Sequence, residues 1–288
     1  MYKGLSPGAV NCKPDSLKEA IVLAKRHGFG GVEINPREVL SIDEEMGAET
    51  VVGLFRDAGL CPAGFGLPVD WRGEDEKWRI GLEQLPALAG VAASIGCKRC
   101  MTWVMPSSDD REYADNRRFH VERFTPAARI LNEHGISLGL EFIGPKTMRD
   151  ARKHPFIHKM GDMLELGREI GPNVGLLLDA WHWYTSGGTL DELAQLRSEQ
   201  VVYVHVSDAP LGVPVDEQID NQRMLPGETG VIDIGQFLST LDRIGYDGPI
   251  TAEPFKAALK ELPSDDARLE VVARSLDDIF LKGGITQR

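Results

Sequence analysis

Four residues of metal-ligand type stand singly in apolar runs of the second half of the chain. They are Glu141 in "SLGLEFI", Asp179 at the end of "VGLLLD", His205 in "VVYVHVSD" and Glu253 in "PITAEPF". One such residue at a strand end commonly caps a helix or pairs with a lysine or arginine. Four in succession read as a set. Three carboxylates meeting without a cation repel by roughly 4 kcal/mol per close pair at an effective dielectric near 20, so something positive must sit among them or some must hold protons. A divalent ion leaves a net charge of about -1 on the group, and oxygen-rich ligation with one imidazole suits Mn²⁺, Mg²⁺, Co²⁺ or Zn²⁺. His182 follows Asp179 by three residues in "DAWHWY", where it can face the same place without binding the same ion. The rings around it, Trp181, Trp183 and Tyr184, suit stacking against a sugar, although at least one tryptophan is expected to pack on a helix.

Such residues converge only if the backbone brings them together. The chain repeats one unit eight times: a short β-type run, a turn rich in Gly, Pro, Asn or Asp, then a helical stretch. The strand candidates are 4–10, 31–35, 61–67, 99–105, 137–143, 174–179, 201–208 and 249–255. The first helix, "DSLKEAIVLAKRHG", takes Asp15 or Ser16 as N-cap and stops at Gly28. Glycines close several later helices just before the next strand, and the strands are apolar nearly throughout, so the sheet is parallel with helices outside. Eight strands in 288 residues predict a closed (β/α)8 TIM barrel of class α/β, a single domain over 1–288. A doubly wound open sheet is the structural alternative, but no G-x-G-x-x-G follows the first strand. The longest irregular stretch, 209–233 after strand seven, is expected to be functional.

Composition narrows the partners. With 44 acidic and 32 basic residues, the net charge of -12 opposes binding to nucleic acid. No apolar run is long enough to cross a bilayer, and "MYKGLSPGAV" lacks the layout of a signal peptide, so the expectation is a cytoplasmic protein without a membrane partner. The four cysteines are expected to be reduced thiols, because Cys97 and Cys100 have no second pair at zinc-site spacing. The sequence leaves a homo-oligomer open.

In order and spacing, "GLEF", "DAWH", "YVHVSD" and "AEPF" resemble the xylose-isomerase-like TIM barrels, the sugar phosphate isomerase/epimerase superfamily. The segment "DNQRMLPGETGVIDIGQFLSTLDRIGYDGPITAE" is similar to 2-keto-myo-inositol isomerase-like members, and ketose 3-epimerase-like members are also near. The resemblance implies that Glu141, Asp179, His205 and Glu253 bind one divalent metal. It also implies that His182 contacts substrate and that Glu141 and Glu253 exchange protons with it. The implied reaction is proton transfer next to a carbonyl of a keto-sugar or keto-inositol: return to the same carbon epimerises, return to its neighbour isomerises. The alternative is a dehydratase or other lyase, which starts from the same enolate. Endonuclease IV-like DNA repair fits less well, since "CPAGFGLP" and "RCMTWVMP" lack the histidines its zinc site needs. A non-catalytic sugar-binding barrel would leave the two glutamates superfluous. Further substrate-binding candidates are Arg223 in the long loop, Glu33, Trp181, Trp103 and Lys256. With no Gly-rich phosphate cradle evident, a non-phosphorylated polyol or keto-sugar is expected.

Overall fold

The computed structural model describes residues 1–286. Eight parallel strands form a closed barrel: β1 (Tyr2–Leu5), β2 (Gly31–Glu33), β3 (Cys61–Gly66), β4 (Arg99–Val104), β5 (Ser137–Phe142), β6 (Val174–Asp179), β7 (Val201–Val206) and β8 (Pro249–Ala252). Each pairs with its neighbours in sequence, and β1 closes the ring on β8 through Tyr2↔Pro249, Lys3↔Ile250 and Gly4↔Thr251. The expected (β/α)8 architecture is therefore present. One expected strand is displaced: β1 ends at Leu5, and Gly8–Val10 form a 3-10 turn between Pro7, held in the helical region, and Asn11 at φ 59. The other strands keep their expected starts and most end one to three residues earlier than expected. Paired outside the barrel are Ser107–Ser108 and His154–Pro155.

Local sequence explains how the units alternate. The helix Leu17–Arg26 starts where the Ser16 side chain accepts a bond from the Glu19 N–H at 3.3 Å, and it buries Leu17, Ala20, Ile21, Leu23 and Ala24 along one face. His27 caps its end. Gly28, one residue later at φ 69, turns the chain toward β2 at a conformation costly for other residues.

Side chains of successive strand residues alternate between the helices and the barrel axis. In β7 the valines at 202, 204 and 206 alternate with Tyr203 and His205, and all six residues are buried. Ala63, Met101, Leu177 and Tyr203 form one packed cluster within the barrel. Tyr203 is its largest member, and there is room for it because Gly4 and Gly64 lie alongside. A Cβ on Gly64 would sit 2.9 Å from the tyrosine ring, and one on Gly4 2.5 Å from Thr251 Oγ1. Two residues further along the same strands, this layer gives way to Trp103, Asp179 and His205. The C-terminal mouth of the barrel is thus where the polar residues emerge.

The stretch 209–233 is irregular apart from a 3-10 turn at Val215–Glu217. Asp208, fully buried just past β7, anchors it. Its backbone makes a two-way bridge with Met224, at 3.0 and 2.8 Å. Its Oδ1 accepts from the N–H groups of Ala209 and Ile232, and its Oδ2 from those of Thr229 and Gly230, all between 2.7 and 3.0 Å. One carboxylate thereby ties both ends of the loop to the barrel rim.

Candidate metal centre and substrate cavity

Glu141, Asp179, His205 and Glu253 each offer a ligand atom, and these atoms lie within 4.8 Å of one another. They come from consecutive positions on the ring: Glu141 on β5, Asp179 ending β6, His205 on β7 in register with Asp179, and Glu253 just past β8. The glutamates therefore form the two ends of an arc, with Asp179 and His205 between them. His205 Nδ1 is 3.6 Å from Glu141 Oε1 and 3.4 Å from Glu253 Oε2. Glu141 Oε1 and both ring nitrogens of His205 are buried and have no hydrogen-bond partner among the described residues. Orphaned polar atoms of this kind are costly, and a cation held by three carboxylates and an imidazole would satisfy them. The residues present fit a divalent ion.

The chain's own cations also face the group. Arg223, 2% exposed, reaches back from the long loop. Its Nη1 donates to Asp179 Oδ2 at 2.7 Å and Glu253 Oε2 at 3.3 Å, and its Nη2 to Asp220 Oδ1 at 2.7 Å. Its guanidinium lies between the rings of Trp181, 4.5 Å away, and Phe255, 4.8 Å away. Burial alone would raise the Asp179 carboxyl, but Arg223, His182 and His205 together bring it down to about 2. Glu253, also lifted by burial, is held below the usual range by His205 and Arg223. Burial, with the neighbouring Glu253 charge, pushes Glu141 up to about 8 despite His205. Burial disfavours the His205 cation, yet Glu253 and Glu141 raise its proton affinity well above the ordinary histidine value. The Arg223 and His205 cations thus favour charge on the Asp179 and Glu253 carboxylates, while burial favours the protonated form of Glu141.

Asp179 has a second task. It N-caps the short helix Ala180–Thr185, its Oδ1 accepting from the Trp181 N–H at 2.6 Å, so one oxygen is fixed by backbone while the other faces Arg223. That helix places His182 over the centre. Burial lowers the His182 ring to about 4, leaving it neutral. The Gly144 N–H approaches its Nδ1 at 3.2 Å and Arg223 Nη2 its Nε2 at 3.0 Å. A neutral imidazole has one free lone pair, so one of these two donors is satisfied at a time.

A cavity of about 270 Å³ opens over the centre, with Glu141, Glu253, His182 and Arg223 on its polar side and Trp103 and Phe255 among its apolar walls. Other sequence candidates lie elsewhere. Trp181 is fully buried behind Arg223, and Trp183 packs on Phe237 with ring centroids 5.3 Å apart, so these tryptophans support the site from behind instead of facing a sugar. Glu33 Oε1 accepts from the Tyr203 hydroxyl at 2.9 Å, down in the barrel. Lys256 pairs with Glu228, outside the cavity lining. Asp220, Phe255 and Asp208 escaped sequence reasoning. A weak signal existed for Asp220, three residues before Arg223 in the same loop.

The fold and this centre define the class. The model of the family described as xylose isomerase-like TIM barrel matches residues 21–278, and the chain belongs to that family. It is 29% identical over 266 residues to an inosose isomerase of Halalkalibacterium halodurans, an alignment covering 90% of each chain. It is 33% identical to a 3-dehydroshikimate dehydratase of Pseudomonas aeruginosa, covering 87% of this chain and 37% of that protein. Among solved structures, a xylose isomerase domain protein from Alicyclobacillus acidocaldarius superposes with a TM-score of 0.83 at 30% identity, covering 98% of this chain and 99% of the other.

Proposed function

We propose that this chain, an isomerase/epimerase-type enzyme, moves a proton next to the carbonyl of a keto-sugar or keto-inositol with the help of one divalent metal. The observation that carries the reading is the arc itself. Two glutamates flank a pair of further ligands whose buried atoms lack partners, at the mouth of a barrel and beneath a cavity of sugar-binding size. Glu141, Asp179, His205 and Glu253 would hold the ion, which when bound supplies stabilisation of negative charge on a substrate carbonyl oxygen.

The chain's own groups do the rest. Two carboxylates at opposite ends of the arc are placed to take a proton from one side of a carbon and to return one from the other. Arg223 and His182, both on the cavity wall, orient hydroxyl or carbonyl oxygens by hydrogen bonds. Trp103 and Phe255 keep water from the rest of the substrate.

The test is Glu253→Gln, which keeps the shape of the site and removes a base. It is expected to retain fold and metal content by elemental analysis while losing solvent deuterium exchange at the substrate carbon. Unchanged exchange would remove Glu253 from the mechanism. Full activity of chelated protein with no bound metal would remove the ion. The 33% identity with a dehydratase favours, as second reading, loss of water from the same enolate. Product mass on a panel of ketoses and keto-inositols separates the two, since isomers weigh the same as substrate.

A further inference from the structure

Beside the metal-centred cavity lies a second chamber of about 500 Å³, sharing Trp103, Met105 and Met148 with the first. A substrate confined to the metal-centred cavity does not account for it. Three arginines, Arg72, Arg111 and Arg152, line it against one carboxylate, Asp110, in a chain whose net charge is -12. Two of these guanidinium groups are held by aromatic faces instead of by acids: Arg72 lies 3.8 Å over the Trp103 ring and Arg111 3.8 Å over Phe119. Neither has a salt bridge among the described residues, and Arg152 has only Asp109 at 4.0 Å.

The chamber also carries two nearly buried polar side chains that keep hydrogen-bonding capacity to spare. Asn116 is 4% exposed and His120 3% exposed. The Asn116 side-chain amide has no hydrogen-bond partner among the described residues, and its backbone carbonyl takes the His120 Nδ1 proton at 2.7 Å. Burial lowers the His120 ring to about 4, so it is neutral and its Nε2 is a free acceptor. Stacking on Phe156, with ring centroids 5.0 Å apart, and contact with Trp71 hold that ring in place.

We propose that this second chamber binds the far end of the substrate, and that this end bears hydroxyls and a carboxylate. Asn116 and His120 Nε2 meet the hydroxyls, and the Arg111 and Arg72 forks meet the carboxylate, whose planar geometry they match. The backbone amides of Asp110 and Arg111, beside the chamber, already donate to Ser108 Oγ at 3.2 and 3.1 Å, so side chains must meet an anion there. A planar carboxylate, which a guanidinium fork meets through two parallel bonds, is the anion assigned to the chamber. The assignment rests on the reading of the metal centre as a keto-sugar site.

The experiment uses the metal-loaded full chain and three probes of one carbon number: D-fructose, 5-keto-D-gluconate and D-fructose 6-phosphate. Calorimetric dissociation constants are expected to favour the keto acid over fructose at least tenfold, with the phosphate ester weaker than the keto acid. In Arg111→Gln and Arg72→Gln the ratio of keto acid to fructose affinity should fall toward one. A general folding defect lowers both affinities and leaves that ratio, so it cannot mimic the result. A ratio near one in the wild type, a tighter phosphate ester, or a ratio unmoved in both variants would overturn the assignment. Solvent deuterium exchange on the same sugars reports separately on the reaction. Exchange without carboxylate preference discards the chamber and keeps the proton transfer, and preference without exchange does the reverse.

Discussion

Replacing Asp208 tests whether one carboxylate holds the loop that delivers Arg223. Four backbone N–H groups donate to it, and two of them, on Ala209 and Ile232, belong to buried residues that water cannot reach. Asp208→Ala strands those two donors at about 1–3 kcal/mol each, whereas the Thr229 and Gly230 donors lie nearer the surface and can be rehydrated. The loss expected is therefore about 2–6 kcal/mol, a large share of a typical domain's stability. Asp208→Asn can keep its carbonyl oxygen toward the buried pair and turns its amide toward the outer pair, so it should cost about half as much. Urea unfolding followed by circular dichroism gives both values, and hydrogen exchange at residues 229–232 locates the damage. Because Met224 is bridged to the Asp208 backbone, and Arg223 precedes it, Asp208→Ala should also loosen the hold of Arg223 on Asp179 and Glu253. An alanine variant within about 0.5 kcal/mol of wild type, with unchanged exchange in the loop, would refute the account.

A divalent ion that binds the folded centre should raise the melting temperature, by the equivalent of about 2.7 kcal/mol at a hundredfold excess over its dissociation constant, and Asp179→Asn should abolish the shift in a thermal scan with Mn²⁺ or Zn²⁺. His120 titrates near 6.5 when unfolded and at about 4 when folded, so stability is full above pH 6.5 and falls as pH drops from there toward 4. Between pH 7 and 5 this amounts to about 2 kcal/mol, and His120→Gln should lose that part of the slope in urea titrations at the two pH values. Gly144→Ala places a Cβ 2.2 Å from the His182 carbonyl oxygen and 2.5 Å from Thr185 Oγ1, so it should destabilise by about 1–3 kcal/mol and shift the pH response of His182 seen by NMR.

The barrel and the convergence of the four ligand-type side chains were legible because both follow from strand patterning. Apolar strands need cover on both faces, and alternation along a strand puts every second side chain on the axis, so Glu141, Asp179 and His205 were readable from their positions in hydrophobic runs. The rings of "DAWHWY" were not. Their direction depends on Asp179 capping a helix at that point, which turns Trp181 and Trp183 inward and leaves His182 facing the cavity. Arg223 presented the same difficulty in reverse: an arginine in a long polar loop normally stays in water, and this one is brought under the barrel rim by the folded loop and its partners Asp179, Glu253 and Asp220. Asn116 and His120 gave no signal, because a helix residue facing a chamber looks in sequence like one facing the core.

The guanidinium of Arg223 among the carboxylates has a consequence for how such a protein is made. In small zinc domains the ligands cannot stay together without the metal, so folding waits for it. Here a covalently attached cation occupies the negative mouth from the start. A newly synthesised chain is therefore expected to fold before it meets the ion. On the proposed metal dependence, supply of the ion would then set how much of the protein is active, and not how much of it survives.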